Sequence, residues 1–450
     1  MTEDRAFKIT WDWLSAPTVR APELRATWAS VQIQVGRDFA TLVEDRDSGS
    51  SRRSIYCPLY PLAEWIAYNW WFLQADSRPT SFLSQDRGYL NPASRMLPAD
   101  VRERHSIRAS GDGFAWPDLL IVPDGAETRL VWEYDRPARS NWPIRFLTRG
   151  DIWVSSDFVT RELEHLVTSV LTRLAEQGVT GTVLQKEWNA LQETSPEEAE
   201  YCRAAARLGL DPYSGAESFE QQIVRASEIL IEDLLTDFLD AADPTEIDSA
   251  LAWINIATRT IDQGRVARRA APPEAGVVQE LRADAPSADS FENLPPWDIG
   301  FLQARSVRAQ LSADDTEPFA VDRYVSRLTQ PGEERWLHAM GGTPRSDPVV
   351  VTGPGRRSTS TRFILSRALW HCIWDASAVF MVTSAHTYRQ RIERAFAAEL
   401  LAPADGIATL LKSGPASASQ AEMEEVARHF DVSSMVIDHQ VRNRLLVAGD

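Results

Sequence analysis

The sequence predicts an α+β protein with an N-terminal mixed β/α domain, a central all-helical region and a C-terminal α+β domain. Short strand-like runs alternate with turns over residues 1–155. Apolar residues then recur at helical spacing over residues 156–265, and a stretch rich in Pro, Ala and Ser follows over residues 266–296. Helical and buried-strand patterns alternate again after residue 296, which predicts a further domain there.

Composition sets broad limits on the protein class. A chain of 450 residues with 44% hydrophobic residues is long enough for about two to four domains with buried cores. It contains no apolar run of about 18 residues, and its N-terminus lacks a basic-then-apolar signal pattern, so we expect a cytoplasmic protein with no membrane partner. Three widely spaced cysteines fit a reducing compartment. The net charge of −17 argues against a general nucleic-acid binder.

The N-terminal domain, residues 1–155, begins with strand patterns at residues 28–36, 39–45 and 54–59. Pro61 then opens a predicted helix with a broad apolar surface. The first half of this domain is rich in tryptophan, which can either stack on nucleic-acid bases or fill a core. Lys and Arg are not interleaved with the tryptophans, so we interpret these side chains as core: Trp11, Trp13, Trp28, Trp65, Trp70 and Trp71.

A predicted hairpin over residues 116–135 carries carboxylates on both strands. Asp118 on the first strand and Glu133 on the second resemble the P-D…(D/E)-x-K pattern of restriction-type nucleases. In that pattern two acids hold Mg²⁺ and a lysine steadies the attacking water. Asp135 stands at the place of the lysine. A PD-(D/E)xK-like nuclease is therefore an alternative for this domain, beside the simpler interpretation as solvated turn residues.

The central region, residues 156–265, is predicted to be helical and acidic. Gly178 ends a first helix, and the Ser195–Pro196 pair has the character of a helix start. Residues 187–250 contain 16 Asp or Glu against 3 Arg. We expect the acids to face outward, either as a solvated surface or as a docking face for a basic partner protein.

Residues 266–296 show no sustained period and predict a linker. The domain over residues 297–413 should contain helices at 297–311 and 386–401 and strands at 348–352 and 378–384. Residues 414–450 predict a pair of helices packed on each other. A DNA-reading pair would need an exposed basic helix, and only Arg442 and Arg444 are available there.

Two motifs in the C-terminal domain carry a resemblance to a known family. Residues 362–371 read R-F-I-L-S-R-A-L-W-H, which resembles the zinc helix R-F-x-L-x-H-E-x-x-H of the ImmA/IrrE family of zinc-dependent metallo-endopeptidases. Residues 396–403 read F-A-A-E-L-L-A-P, close to a block on the family's second site helix. The resemblance covers about 150 residues and implies a degenerate zincin-like α+β fold for this part of the chain.

The resemblance also implies that most of the zinc chemistry is lost. It places Arg367 on the first zinc histidine, Ala368 on the catalytic glutamate and His371 on the second histidine. The family's acidic ligand falls near Gln390, and Glu393 is the carboxylate close by. A permanent cation at Arg367 repels a metal, and an alanine accepts no proton. We therefore expect no cofactor, no metal and no catalytic residue.

A basic loop before the degenerate helix suggests another use of this region. Residues 353–394 hold seven Arg against two acids, and Arg356, Arg357 and Ser358 precede a helix N-terminus. One hypothesis is that these residues, with Arg367 and His371, form a former active-site cleft that binds an anionic ligand or a peptide. In the competing interpretation Arg367 pairs with Glu393 or Asp375 and fills the space.

By resemblance, we expect a pseudo-peptidase that acts by binding another protein, as a regulatory, sensor or scaffold subunit in a stress-response or phage-defence setting. The enzyme alternative is a metallo-endopeptidase that cleaves a regulator protein. It would use zinc in an altered site drawn from four residues: His371, Asp375, His386 and Glu393.

Overall fold

The computed structural model describes residues 6–83, 97–111, 113–135, 142–267, 274–286, 288–291, 294–343, 348–375 and 377–446. The described residues confirm the α+β class, with several small sheets among many helices. The chain divides into two compact units, Met1–Ile223 and Val224–Asp450. None of the helices in the described ranges is both long and apolar enough to cross a membrane.

Antiparallel strands form the sheets of the N-terminal unit. Trp28–Val35 pairs with Phe7–Trp13, Asp38–Phe39 and Ile55–Pro58. Asp118–Asp124, Glu127–Glu133 and Gly150–Ser155 form a second sheet, and a third is made from Ser51–Arg52, Val43–Asp45 and Ile144–Phe146. The α-helices that lie wholly in this unit are Pro22–Ala26, Tyr60–Tyr68, Trp70–Ala75, Pro79–Leu83, Ala99–His105, Ser156–Glu176, Val183–Glu193 and Pro196–Arg207.

The predicted strands and helices of this unit occur with small changes in their bounds. The pattern at residues 39–45 forms two short strands separated by a turn instead of one. Trp65 and Trp71 are each only 7% exposed, as the core interpretation predicts. Ser195 caps its helix by accepting a hydrogen bond from the Glu198 backbone N–H, and Gly178 follows the helix Ser156–Glu176 with a φ of 69°.

The central helical region is not a separate body, which differs from the predicted domain bounds 156–265. Val159, Leu163 and Leu166 of the helix Ser156–Glu176 belong to the same buried core as the N-terminal strands. The division between the two units lies instead at residues 223 and 224, in the helix Glu220–Ile229. An amphipathic helix packs against whichever apolar surface is available, and spacing alone does not say which surface that is.

The C-terminal unit contains a four-stranded sheet. Val349–Thr352 pairs in parallel with Ser326–Thr329 and antiparallel with Leu337–Gly342, which in turn pairs with Val379–Thr383. The α-helices in the described part of this unit are Glu232–Ala241, Ile247–Ala267, Ala275–Ala283, Pro296–Gln310, Ser358–Trp374, Tyr388–Leu401, Ala404–Leu410, Gln420–Phe430 and Ser434–Gln440, and a short π-helix, Val441–Leu445, follows.

The predicted linker over residues 266–296 contains a helix, Ala275–Ala283, that sequence reasoning missed. Val278 and Leu281 of this helix are each 3% exposed and share a core with Val307 and Leu365. Two apolar residues one turn apart are enough to bury a short helix, although they are too few to produce a sustained period. Residues 268–273, 287 and 292–293 of the predicted linker lie outside the described ranges.

The F-A-A-E-L-L-A-P block has a structural role. Phe396 and Leu400 are fully buried in the main core of this unit. Glu399 is 1% exposed, and its carboxylate accepts hydrogen bonds from Arg305 Nε at 2.9 Å, Gln440 Nε2 at 2.8 Å and the backbone N–H of Ala404 at 3.1 Å. The carboxylate therefore joins three helices and holds the first turn of Ala404–Leu410.

The helices Pro296–Gln310 and Tyr388–Leu401 approach each other closely at Gly300. A Cβ added at this position would overlap the Ile392 carbonyl oxygen and lie 2.8 Å from the Ala395 Cβ. We expect Gly300→Ala to lower the free energy of unfolding by about 1–3 kcal/mol, because the two helices must separate. Gly276 is also helical but has open space around it, so Gly276→Ala should stabilise by about 0.5–1 kcal/mol. Urea denaturation of both variants measures the two effects, and equal shifts would contradict this helix packing.

Candidate functional site

Two helices and one strand carry the residues singled out by the resemblance. The Arg367 helix, Ser358–Trp374, is apolar on most of its faces and lies within the core. The Glu393 helix, Tyr388–Leu401, begins after Thr387, whose side chain accepts a hydrogen bond from the Gln390 backbone N–H. The strand Val379–Thr383 connects the two helices in sequence and lies at the edge of the four-stranded sheet.

Arg367 is a buried cation, and each nitrogen of its guanidinium group has a partner. It is 1% exposed, and its Nε donates to Glu393 Oε1 at 3.0 Å. Its Nη2 donates to the same carboxylate oxygen and, at 2.9 Å, to the Thr383 carbonyl oxygen. Its Nη1 lies 3.4 Å from His338 Nδ1. The pairing of Arg367 with Glu393, one of the two alternatives predicted, is the one that occurs.

Glu393 is the centre of the network. Its side chain is fully buried, with Oε1 bound by Arg367 and Oε2 2.6 Å from His371 Nε2. Burial disfavours the charged carboxylate, but the charges of Arg367 and His371 outweigh it and lower the pKa of Glu393 from 4.5 to about 2. Both carboxylate oxygens are therefore occupied by cationic partners, and the group is ionised at neutral pH.

His371 joins two carboxylates. Its Nδ1 lies 2.9 Å from Asp375 Oδ2, one helical turn further along, and its Nε2 contacts Glu393. Burial disfavours the imidazolium, but the two carboxylates favour it more and raise the pKa of His371 above its ordinary value. The Phe380 ring stacks on the imidazole at a centroid distance of 4.6 Å. This geometry suits a doubly protonated ring that donates to both carboxylates.

The ion network extends to residues that sequence reasoning missed. Arg389 donates to Asp375 Oδ2 at 3.4 Å and also forms an ion pair with Asp237. Asp237 lies on the helix Glu232–Ala241 and is only 5% exposed, and Asp240 on the same helix is 7% exposed. The expectation that all acids of this region face outward is therefore wrong for these two residues. Asp237 directly precedes Phe238 in an apolar face of the helix. This position was the signal that could have identified it as a buried carboxylate.

Two further basic groups border Arg367. His338 lies at an irregularity between the strands Leu337–Gly342 and Val379–Thr383, and burial and the Arg367 charge lower its pKa to about 3. It is therefore a neutral ring that can accept a hydrogen bond from the guanidinium. Arg394 Nη2 shares the Thr383 carbonyl oxygen with Arg367 at 3.2 Å, and burial and the Arg367 charge lower the pKa of Arg394.

The remaining positions implied by the resemblance lie in or beside the core. Ala368, which the resemblance aligns with the catalytic glutamate, is fully buried. Gln390, near the expected acidic ligand, is 1% exposed and donates from Nε2 to Thr383 Oγ1 at 2.8 Å. His386, a candidate of the altered metal site, has a buried Nδ1 without a hydrogen-bond partner, and burial and nearby arginines lower its pKa to about 3.

These residues do not fit a zinc ion. Zinc needs several convergent imidazole, thiolate or carboxylate ligands, and a catalytic site also needs one open position. Both ring nitrogens of His371 and both oxygens of Glu393 are already hydrogen-bonded, and the Arg367 guanidinium occupies the remaining side. Within the described ranges, no group of three or more His, Cys, Asp or Glu is arranged to hold a metal ion.

The described residues do not form the single cleft of the anion-binding hypothesis. Arg356 and Ser358 line a pocket of about 720 Å³, whereas Arg367 and His371 are each 1% exposed and do not line it. The physical reason is the geometry of the helix. Each residue turns the side-chain direction by about 100°, so Ser358 and Arg367 point to opposite sides of their helix. Arg357 precedes this helix as an exposed residue and does not line the pocket either.

The nuclease-like hairpin of the N-terminal unit places Asp118 directly across from Glu133. Asp118 Oδ1 accepts from the Ser106 hydroxyl at 3.3 Å. Asp135, at the place of the lysine, accepts from Arg108 Nη2 at 2.9 Å and from the Phe146 backbone N–H at 3.2 Å. The place of the lysine is therefore occupied by a carboxylate that is paired with an arginine. A carboxylate has no positive charge and cannot steady an attacking water as a lysine does.

No protein-family model matches the chain, and no curated protein is significantly similar to it in sequence.

Proposed function

We propose that this chain is a catalytically inactive relative of the ImmA/IrrE-family zinc metallo-endopeptidases that acts by binding another protein, as a regulatory, sensor or scaffold subunit. The buried network of Arg367, Glu393 and His371 is the observation that supports this proposal. Arg367 and His371 stand where the resemblance puts the two zinc histidines, Glu393 is the carboxylate close to the place of the acidic ligand, and each is engaged in an ion pair or hydrogen bond.

The charges explain how such a network replaces a metal. A guanidinium supplies one positive charge and up to five N–H donors at the place of the divalent ion. Glu393 and His371 then keep ionic partners in the dry core, where an uncompensated charge would be costly. Thr383 and Asp375 satisfy further donors of Arg367 and His371. The side chains of this network are buried and engaged with one another, so none of them is free to act as a general base.

An altered metallo-endopeptidase would require these contacts to break. His371 would have to release both carboxylates, and Glu393 would have to turn away from a permanent cation. Removal of one partner of a buried ion pair typically costs about 3–5 kcal/mol, so metal binding would begin from a large unfavourable rearrangement.

Zinc content of the purified chain tests the proposal. We expect much less than one zinc per chain for the native protein, measured by elemental analysis after dialysis against zinc. Arg367→His places two imidazoles at i and i+4 beside Glu393, which should create three ligands and bring the content close to one zinc per chain. Arg367→Met removes the cation without adding a ligand and serves as the matched control.

Two results would contradict the proposal. Stoichiometric zinc in the native protein that His371→Ala abolishes would favour the enzyme alternative. Failure of a folded Arg367→His variant to take up zinc would remove the support for a zincin-like arrangement of these helices.

A further inference from the structure

The pocket of about 720 Å³ at the start of the Arg367 helix is not part of the buried ion network. Three arginines line it: Arg327, Arg356 and Arg362. Ser358 and Thr361 contribute hydroxyl groups from the first turn of the helix. The volume falls within the range of small-molecule sites, and it is larger than a single inorganic anion needs.

The start of this helix adds further attraction for an anion. The helix has 17 residues, and its N-cap residue, Arg357, makes no side-chain capping hydrogen bond. The first backbone N–H groups of a helix have no partner within the helix, and the helix dipole places positive charge there. Uncapped N–H groups beside three guanidinium groups are a suitable arrangement for binding phosphate oxygens.

Unsatisfied polar atoms point independently to a ligand. Thr361 is 8% exposed, and its hydroxyl oxygen is buried without a hydrogen-bond partner although the residue lines the pocket. The Nε of Arg356 is also buried without a hydrogen-bond partner, and the nearest carboxylate oxygen of its ion pair, on Glu333, is 3.7 Å away. Such groups lack a hydrogen bond that a bound acceptor would supply.

Two carboxylates oppose an anion in the same pocket, Asp322 and Asp431. Asp431 Oδ2 lies 3.3 Å from both the Ser358 hydroxyl and Arg362 Nε. It therefore occupies part of the position that an anionic ligand would take and competes with it for the same donors. Glu333, outside the lining, pairs with Arg356, so the three arginines face three carboxylates and the helix N-terminus supplies the additional attraction for an anion.

We propose that this pocket binds a phosphate-bearing small molecule of about mononucleotide size, with Arg356, Arg362 and Thr361 contacting the phosphate. Guanidinium groups bind phosphate in a bidentate manner, and the hydroxyl and the backbone N–H groups add single hydrogen bonds. The remaining volume accommodates the rest of the molecule. This proposal does not depend on the proposed function, because no pocket-lining residue belongs to the Arg367 network.

Isothermal titration of the full chain with adenosine monophosphate, inorganic phosphate and adenosine tests the proposal. We expect the monophosphate and inorganic phosphate to bind and adenosine not to bind. Arg356→Gln should weaken binding of the monophosphate by about 10-fold to 100-fold, and Thr361→Val by about 2-fold to 10-fold. Arg357→Gln is the matched control, because it removes a neighbouring exposed charge outside the pocket and should change binding by less than about threefold.

Asp431→Asn should tighten binding, because it removes the competing charge while asparagine tolerates the left-handed conformation of this residue, whose φ is 52°. All variants are compared after confirmation that their thermal midpoints equal that of the native protein. The proposal is overturned if neither phosphate compound binds at about 1 mM, where a weak site with a Kd of that order would be half occupied. It is also overturned if adenosine binds as tightly as its monophosphate, or if Arg356→Gln and Thr361→Val both bind like the native chain.

Discussion

Arg367→Met is expected to lower the free energy of unfolding of the C-terminal unit by about 3–5 kcal/mol. Methionine retains much of the packing volume but leaves Glu393 fully buried without its guanidinium partner. The Thr383 carbonyl oxygen also loses a donor at 2.9 Å. Urea denaturation followed by tryptophan fluorescence measures the loss, and Trp370 and Trp374 of the same helix report on this unit.

A double-mutant cycle separates the ion pair from simple packing effects. Arg367→Met combined with Glu393→Met removes both charges, so the double variant should be destabilised by much less than the sum of the two single variants. Arg428→Met provides the control, since Arg428 is exposed and its replacement should change stability by less than about 0.5 kcal/mol. Additive single effects, or equal effects at Arg367 and Arg428, would show that the buried pair is not coupled.

The second large effect is a dependence of stability on pH. The pKa of Glu393 is lowered from 4.5 to about 2, so its ionised form stabilises the fold above pH 4.5, and this contribution is lost as the pH falls toward 2. A shift of this size corresponds to about 3 kcal/mol. Glu393→Gln should therefore be less stable than the native chain by about this amount at pH 7, and the two should converge near pH 2.

The pKa of His371 sets the upper pH limit of the stabilisation by this network. Its pKa is raised above 6.5, so its stabilisation is fully present below pH 6.5 and is lost as the pH rises through the pKa of the folded state. The network should therefore contribute most between about pH 4.5 and 6.5. Unfolding free energies of the native chain, Glu393→Gln and His371→Gln across pH 2–9 test this window. Glu424→Gln, at an exposed position, is the control, and a constant difference between the native chain and Glu393→Gln would contradict the assigned ionisation.

Part of the site could be predicted from the sequence. The helix that carries Glu393 and the strand before it occur close to their predicted bounds. The helix that carries Arg367 is apolar on most of its faces and has no side-chain cap, so it was expected from the resemblance to the zinc helix and not from periodicity. The pairing of Arg367 with Glu393 could also be predicted as one of two alternatives, because a buried arginine needs a carboxylate and few carboxylates lie nearby in the sequence.

Contacts between distant parts of the chain could not be predicted in the same way. Asp237 and Arg389 are 152 positions apart, and an acidic residue in a highly acidic segment gives no indication of its partner. The division between the two compact units depends on which apolar surfaces meet, which hydrophobic spacing does not specify. The separation of Ser358 from Arg367, by contrast, follows from the turn of the helix and was predictable.

Glu399 carries the carboxylate of the F-A-A-E-L-L-A-P block. This carboxylate anchors a neighbouring helix through Ala404 and ties down Arg305 and Gln440, and none of these bonds involves the chemistry of peptide hydrolysis. Loss of this carboxylate would loosen three helices at once, whatever the chain does. The residues of this block are therefore explained by packing, and they carry no information about hydrolysis.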